Sequence, residues 1–217
     1  NWEDKYLPAI LETWFPHCRG GYAIADILLG KANPSGKLPV TFPKSIGQIE
    51  LNFPFKKGSH NAQSAWTIGK NGGGKTRVTG PLYPFGHGLS YTSFEYFDLR
   101  INFPCAKDSA FPFVKVSLTV KNTGSREGAE EVQLYVRDEY SSVVTYDSVL
   151  RGFEKISLKP GEAKKVSFAL SKDDLSILDK DMKWSFESGM FTFSVGSSST
   201  DIRLKKTVDI KESYASY

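Results

Sequence analysis

Carboxylates, histidines, thiols and one glycine-rich loop are the groups in this 217-residue sequence that could do chemistry. Cleaving an acetal bond calls for two carboxyl groups across it, one an acid and the other a base or nucleophile. Glu3, Asp4, Glu12, Asp26 and Glu50 are scattered along the first part of the chain and form no evident pair. Asp26 falls within a helical pattern and Glu12 within an apolar run. Glu130 and Glu131 are neighbours on a strand-like stretch, so their side chains point to opposite faces. Each of these carboxylates reads as a solvated surface group. His17, His60 and His87 are too dispersed for a catalytic triad or a metal cluster.

The residues Gly69-Lys70-Asn71-Gly72-Gly73-Gly74-Lys75-Thr76 fit the phosphate-loop pattern G-x-x-x-x-G-K-[ST]. That chemistry needs a strand before the loop and a helix after it, whose first amides hold the phosphates. Gly80, Pro81 and Pro84 follow too soon for a helix, so the stretch reads as a plain glycine loop and not a nucleotide site. Cys18 and Cys105 match no metal-ligand or redox spacing. No metal site is expected. Trp66 is different: it stands in a polar, glycine-flanked loop with little apolar company. Its ring either anchors that loop or offers a face to a sugar.

The composition is that of a folded chain: 40% hydrophobic and 24% charged, with 29 aromatic residues (Phe 15, Tyr 10, Trp 4). A net charge of +4, with basic residues clustered no more than in pairs, disfavours nucleic acid as a partner. The apolar stretch from Ala23 to Leu29 is short and contains Asp26, which excludes a membrane span there.

The elements follow from periodicity. Residues 9–15 form an apolar run ended by Pro16 and predict a buried strand. Gly20-Gly21 opens a helical pattern with Ile24, Ile27 and Leu28, stopped at Gly30. Asn33-Pro34-Ser35-Gly36 reads as a turn before extended chain at Leu38 to Phe42. Strand, helix, strand is an α/β unit that cannot bury both sheet faces alone, so it needs a partner. Residues 43–93 have little periodicity. From residue 110 the pattern is all-β. Val114, Val116, Leu118 and Val120 alternate with Lys115, Ser117, Thr119 and Lys121 up to the turn Asn122-Thr123-Gly124. Val132, Leu134 and Val136 repeat the pattern. Pro160-Gly161 turns into Val166, Phe168 and Leu170; Phe191, Phe193 and Val195, then Ile202 to Ile210, complete it. Roughly seven short strands predict an immunoglobulin-like sandwich.

Several long motifs carry a family resemblance. Trp14-Phe15-Pro16, Gly20 to Gly30 and Asn33-Pro34-Ser35-Gly36-Lys37-Leu38-Pro39-Val40-Thr41-Phe42-Pro43 resemble the end of the α/β sandwich domain of glycoside hydrolase family 3. Tyr83-Pro84-Phe85-Gly86-His87-Gly88-Leu89-Ser90-Tyr91-Thr92-Ser93-Phe94 is similar to the start of that family's fibronectin type III-like domain. Val132 to Asp138, Leu150 to Lys155 and Leu158 to Glu162 continue the likeness. The family's usual Pro-Gly-x-Glu-Gly loop reads here Pro16-His17-Cys18-Arg19-Gly20, with a histidine and an arginine in place of glycine and glutamate.

The resemblance implies an α/β remnant followed by an all-β immunoglobulin or fibronectin type III-like sandwich. The expected layout is residues 1–55 for the end of the α/β sandwich domain, 56–93 for a long irregular connector, and 94–217 for the β-sandwich. It implies a retaining, exo-acting β-glycosidase, of β-glucosidase or β-xylosidase type, that uses no cofactor. The partners implied are a β-linked oligosaccharide or glycoside and the upstream catalytic part of the same protein, with a homodimer as a further option. The family's catalytic Asp and Glu lie earlier than residue 1, so no catalytic residue is assigned to this chain. Trp66 is the candidate substrate-binding residue. A periplasmic or secreted location is expected from the same resemblance. The alternative is a non-catalytic binding, adhesion or dimerisation module, against which the unburied α/β unit speaks.

Overall fold

A computed structural model describes residues 2–48, 51–56, 80–104 and 113–211. Two helices open the chain, α1 (Trp2–Tyr6) and α2 (Gly20–Leu28). The start of α2 passes so close to Pro16 that a side chain on Gly20 would collide with its ring. The Gly20 N–H donates to the His17 carbonyl at 2.8 Å, so the turn forms even with His17 and Arg19 in the loop. Gly30 then ends the helix in the left-handed region, at φ +69°.

The run at residues 9–15 is not the strand its composition predicts. It has no regular structure, and Ile10, Trp14 and Phe15 are 50%, 52% and 92% exposed. A strand forms only against a hydrogen-bonding neighbour, and among the described residues none pairs with it. Of the extended chain expected from Leu38 to Phe42, Leu38 exchanges single backbone hydrogen bonds with His87 and Gly86, both at 2.8 Å, and a regular strand forms only at β1 (Phe42–Pro43). It pairs antiparallel with β2 (Pro81–Tyr83). Residues 33–36 form no turn. They run open, and the Asn33 side chain reaches the sandwich.

The sandwich has a three-stranded sheet of β3 (Phe94–Asn102), β4 (Val114–Asn122) and β7 (Ala163–Leu170), in the order β3-β4-β7. Facing it are β5 (Gly128–Asp138), β6 (Val149–Leu158), β10 (Gly189–Gly196) and β11 (Ile202–Ile210), in the order β11-β10-β5-β6. A small hairpin of β8 (Ile177–Leu178) and β9 (Trp184–Ser185) sits beside them. All pairings are antiparallel. The alternating valines and leucines of β4, β5 and β7 meet Phe191, Phe193, Val195 and Ile156 in one core. Burying each such side chain contributes about 1.5–3 kcal/mol before entropy is counted. Asn122, fully buried at the end of β4, is completely satisfied. It donates to the carbonyls of Arg126 (2.7 Å) and Leu158 (3.0 Å) and accepts from the Thr92 hydroxyl (2.7 Å) and Gly124 N–H (3.0 Å). That fastening fixes the turn after β4 and draws residue 92 onto the sandwich.

Candidate functional site

Chemistry-bearing groups converge where the segment 30–38 and the connector end 83–92 rest on β5. Lys37 places its ammonium 3.6 Å from the Glu130 carboxylate, and both side chains are nearly buried. The same ammonium donates to the Gly88 carbonyl at 3.0 Å, and the Tyr96 hydroxyl donates to Glu130 Oε1 at 2.8 Å. Burial pushes the Glu130 carboxyl above its ordinary pKa, while the Lys37 charge and the Tyr96 hydrogen bond pull the other way. Burial, and then the Glu130 charge, raise Tyr96. Glu130 is therefore no solvated carboxylate, which corrects the sequence expectation. The signal was in the register: Glu130 shares the core-facing side of β5 with Val132, Leu134 and Val136.

The opposite face of β5 is buried too. The Gln133 amide donates to the Ser197 carbonyl (2.8 Å) and the Gly86 carbonyl (3.3 Å) and accepts from the Tyr135 hydroxyl. Gly86 sits at φ +80°, and a Cβ there would strike that amide, so glycine is required on both counts. Phe53 stacks on Phe85 at 4.8 Å and meets Tyr135 edge-on at 5.5 Å.

Asn33 completes the junction. It donates to the Glu127 carbonyl (3.0 Å) and accepts from the Ser90 hydroxyl (2.9 Å) and Tyr91 N–H (2.8 Å). The carbonyl end of α2 is met from the same side. The Tyr91 hydroxyl donates to Ile27 and Arg126 donates to Gly30, at 3.0 and 3.3 Å. These caps satisfy orphan carbonyls and set a cation at the negative end of the helix. Residues far apart in sequence are thus fastened by hydrogen bonds rather than by a large apolar contact.

The remaining candidates do not assemble. Asp4, on α1, accepts from the Tyr83 hydroxyl at 2.8 Å, and Glu12 accepts from Trp14 N–H at 2.8 Å, in irregular chain rather than in a strand. Asp26 lies on α2, and Glu131 lies on β5 beside Glu130. His17 is exposed. His87 stacks on Tyr83 at 5.2 Å, with its pKa lowered by burial and then by the Lys37 charge, against a weaker opposing effect of Asp201. Cys18 is free and exposed. Glu50, His60, Trp66, the glycine loop with Lys75, and Cys105 lie outside the described residues. Among the described residues no three or more His, Cys, Asp or Glu side chains are grouped to hold a metal, and no helix is long and apolar enough to cross a membrane. What the junction can do is hold one part of a protein in a fixed pose on another.

Residues 1–91 match the glycosyl hydrolase family 3 C-terminal domain, and residues 130–199 match a fibronectin type III-like domain. A β-xylosidase of Formosa agariphila is 43% identical over 208 residues, covering 94% of this chain and 27% of that protein. A periplasmic β-glucosidase of Salmonella typhimurium is 42% identical over 208 residues, covering 93% and 26%. Among solved structures, the β-glucosidase from Listeria innocua in complex with isofagomine superposes with a TM-score of 0.76 at 31% identity. It covers 90% of this chain and 27% of that one. The fold is that of an α/β segment joined to a fibronectin type III-like sandwich. The chain carries a glycosyl hydrolase family 3 C-terminal domain followed by a fibronectin type III-like domain, and spans about a quarter of the length of these curated relatives.

Proposed function

We propose that the intact parent is a retaining, exo-acting β-glycosidase of the β-glucosidase or β-xylosidase type, and that this chain is its supporting C-terminal part. The observation that carries this reading is the match of both domains, in order, to proteins named β-xylosidase and β-glucosidase. In this reading the two catalytic carboxylates belong to the upstream part of the polypeptide. That part covers the exposed apolar side chains of residues 2–29. The layout is the α/β end at 1–55, the connector at 56–93 and the sandwich at 94–217. The substrate is a β-linked oligosaccharide or glycoside. The name of the Salmonella relative supports a periplasmic or secreted location.

The test is hydrolysis of aryl β-glucoside and β-xyloside by the parent and by the 217-residue chain. The parent should turn over at least one of them and the chain neither. Turnover by the purified chain, abolished by changing one of its own carboxylates, would contradict the assignment. Failure of the parent on both substrates would contradict the activity. Trp66 is proposed as an outer sugar contact in the parent. Trp66→Ala should lower kcat/KM for oligosaccharides about tenfold and for a small aryl glycoside less. An equal loss on both, with a lower melting temperature, would make it a packing anchor.

A further inference from the structure

A cavity of about 500 Å³ opens on the sandwich between β6, the 143–146 loop, the turn before β8, and β9. Its size lies within the usual range of small-ligand pockets, about 300–1,000 Å³. Three features separate it from an ordinary surface dent.

The first is a β-bulge. Leu134 pairs with Gly152 and Tyr135 with Leu150, which leaves Arg151 as the extra residue of β6. Bulges re-aim a side chain, and this one sets Arg151 into the cavity wall. Arg151 is half-buried and its guanidinium has no hydrogen-bond partner among the described residues. Asp174 bears on it only through its charge, its carboxylate accepting from Ser171 N–H and Oγ at 2.8 and 2.7 Å. The second is Trp184, which lines the same cavity and is 74% exposed. It is held there by a rigid hairpin. Asp179 accepts from the N–H groups of Asp181 and Lys183 at 2.9 and 3.0 Å, and Trp184 pairs with Leu178. The third is that the facing loop is pinned before any ligand arrives. Ser142 N–H and Oγ both donate to the Glu187 carboxylate, Ser141 Oγ donates to the Val143 carbonyl at 2.8 Å, and Asp147 N–H donates to the Phe55 carbonyl at 2.8 Å.

The charges lining the cavity balance, Lys56 and Arg151 against Asp138 and Asp174. A polyanion gains nothing there. Apolar walls, a rigid exposed indole and a free fork of donors suit a ligand with a C–H face and many hydroxyls. We propose that this cavity binds a neutral saccharide, with the Trp184 indole against a pyranose face and the Arg151 guanidinium donating to ring hydroxyls.

The choice of probe sugars rests on the proposed β-glycosidase parent, but the site does not. The 217-residue chain is titrated calorimetrically with cellotetraose, xylotetraose and inorganic phosphate. The expected result is saturable binding of at least one sugar, with Kd of about 0.1–5 mM, and none of phosphate. Trp184→Ala should weaken it at least about tenfold without lowering the melting temperature, and Arg151→Met should weaken it as well. No saturable heat from either sugar in a chain that circular dichroism shows folded would overturn the proposal. So would binding unchanged in Trp184→Ala, or saturable binding of phosphate in place of sugar. None of these readouts depends on turnover, so failure of the parent to hydrolyse β-glycosides leaves this test standing.

Discussion

Phe193, in the middle of the four-stranded sheet, is fully buried, whereas Phe15, in the opening segment, is 92% exposed. The contrast runs through both regions. Val114, Val132, Ile156 and Val195 are fully buried in the sandwich, while Trp2, Tyr22, Leu28 and Leu29 are 63–79% exposed. Similar apolar residues therefore meet opposite fates. In the sandwich each strand finds a hydrogen-bonding neighbour and an opposing sheet. Among the described residues the α/β segment has one short strand pairing, β1 with β2, the backbone bonds of Leu38 to His87 and Gly86, and polar ties through Asp4, Asn33, Lys37 and Arg126. Apolar sequence supplies the means to form structure, and a partner surface decides whether it does so.

The largest expected effect breaks the comparison at its strong end. Phe193→Ala should cost about 3–5 kcal/mol in urea unfolding, as a large side chain lost from a closed core does. Trp14→Ala should stay within about 0.5 kcal/mol in the same chain, because its ring is half exposed. Equal losses would mean that the two regions share one cooperative core.

Next comes the buried pair. Lys37→Met leaves the Glu130 carboxylate without its cation and should cost about 3–5 kcal/mol at neutral pH. Glu130→Gln should cost much less, since the amide can still accept from Tyr96. The Glu130 pKa is raised in the folded chain, so the folded state holds this proton more tightly than the unfolded one. Its contribution is therefore present below the ordinary value of 4.5 and is lost as pH rises through the folded value. Unfolding measured across that window should show Glu130→Gln gaining on the natural chain as pH rises. A gap that widens instead would contradict the burial argument.

Glu130 also marks how far the sequence could be read. Strict alternation exposed β4, β5, β7, β10 and β11, because each has one face on the core. It missed β3 as a strand. That strand lies at a sheet edge and carries a bulge between Phe97 and Arg100, with Asp98 at φ 57°, which breaks the period of two. It missed β6 likewise, also an edge strand, where the bulge at Arg151 shifts the register. The run at residues 9–15 was misread because strand formation depends on a neighbour, which no local pattern reports. Glu130 was legible by position but not by type. A carboxylate on a core face is rare, and its partners Lys37 and Tyr96 are distant in sequence.

Smaller effects sharpen the junction. Asn33→Ala removes three hydrogen-bonding ties and should lower stability by about 1–2 kcal/mol. Proteolysis of the first 30 residues should quicken more than global unfolding does. Arg19 stands at the N-cap of α2 with no side-chain capping bond, a cation at the positive end of the helix. Arg19→Asp should add about 0.5–1 kcal/mol to local helix stability, read as slower amide exchange in α2. No change would place that helix end under the control of tertiary contacts alone.

Hydrogen exchange, compared between this chain and its parent, tests the central claim most directly. In the chain alone, amides of β4, β5 and β10 should exchange near the global unfolding rate, while those of residues 9–15 and α2 exchange many-fold faster. In the intact parent, the second set should become as protected as the first, because the upstream part supplies the missing neighbour. Equal protection of both sets in the chain alone, or no gain at residues 9–15 and α2 in the parent, would contradict the account.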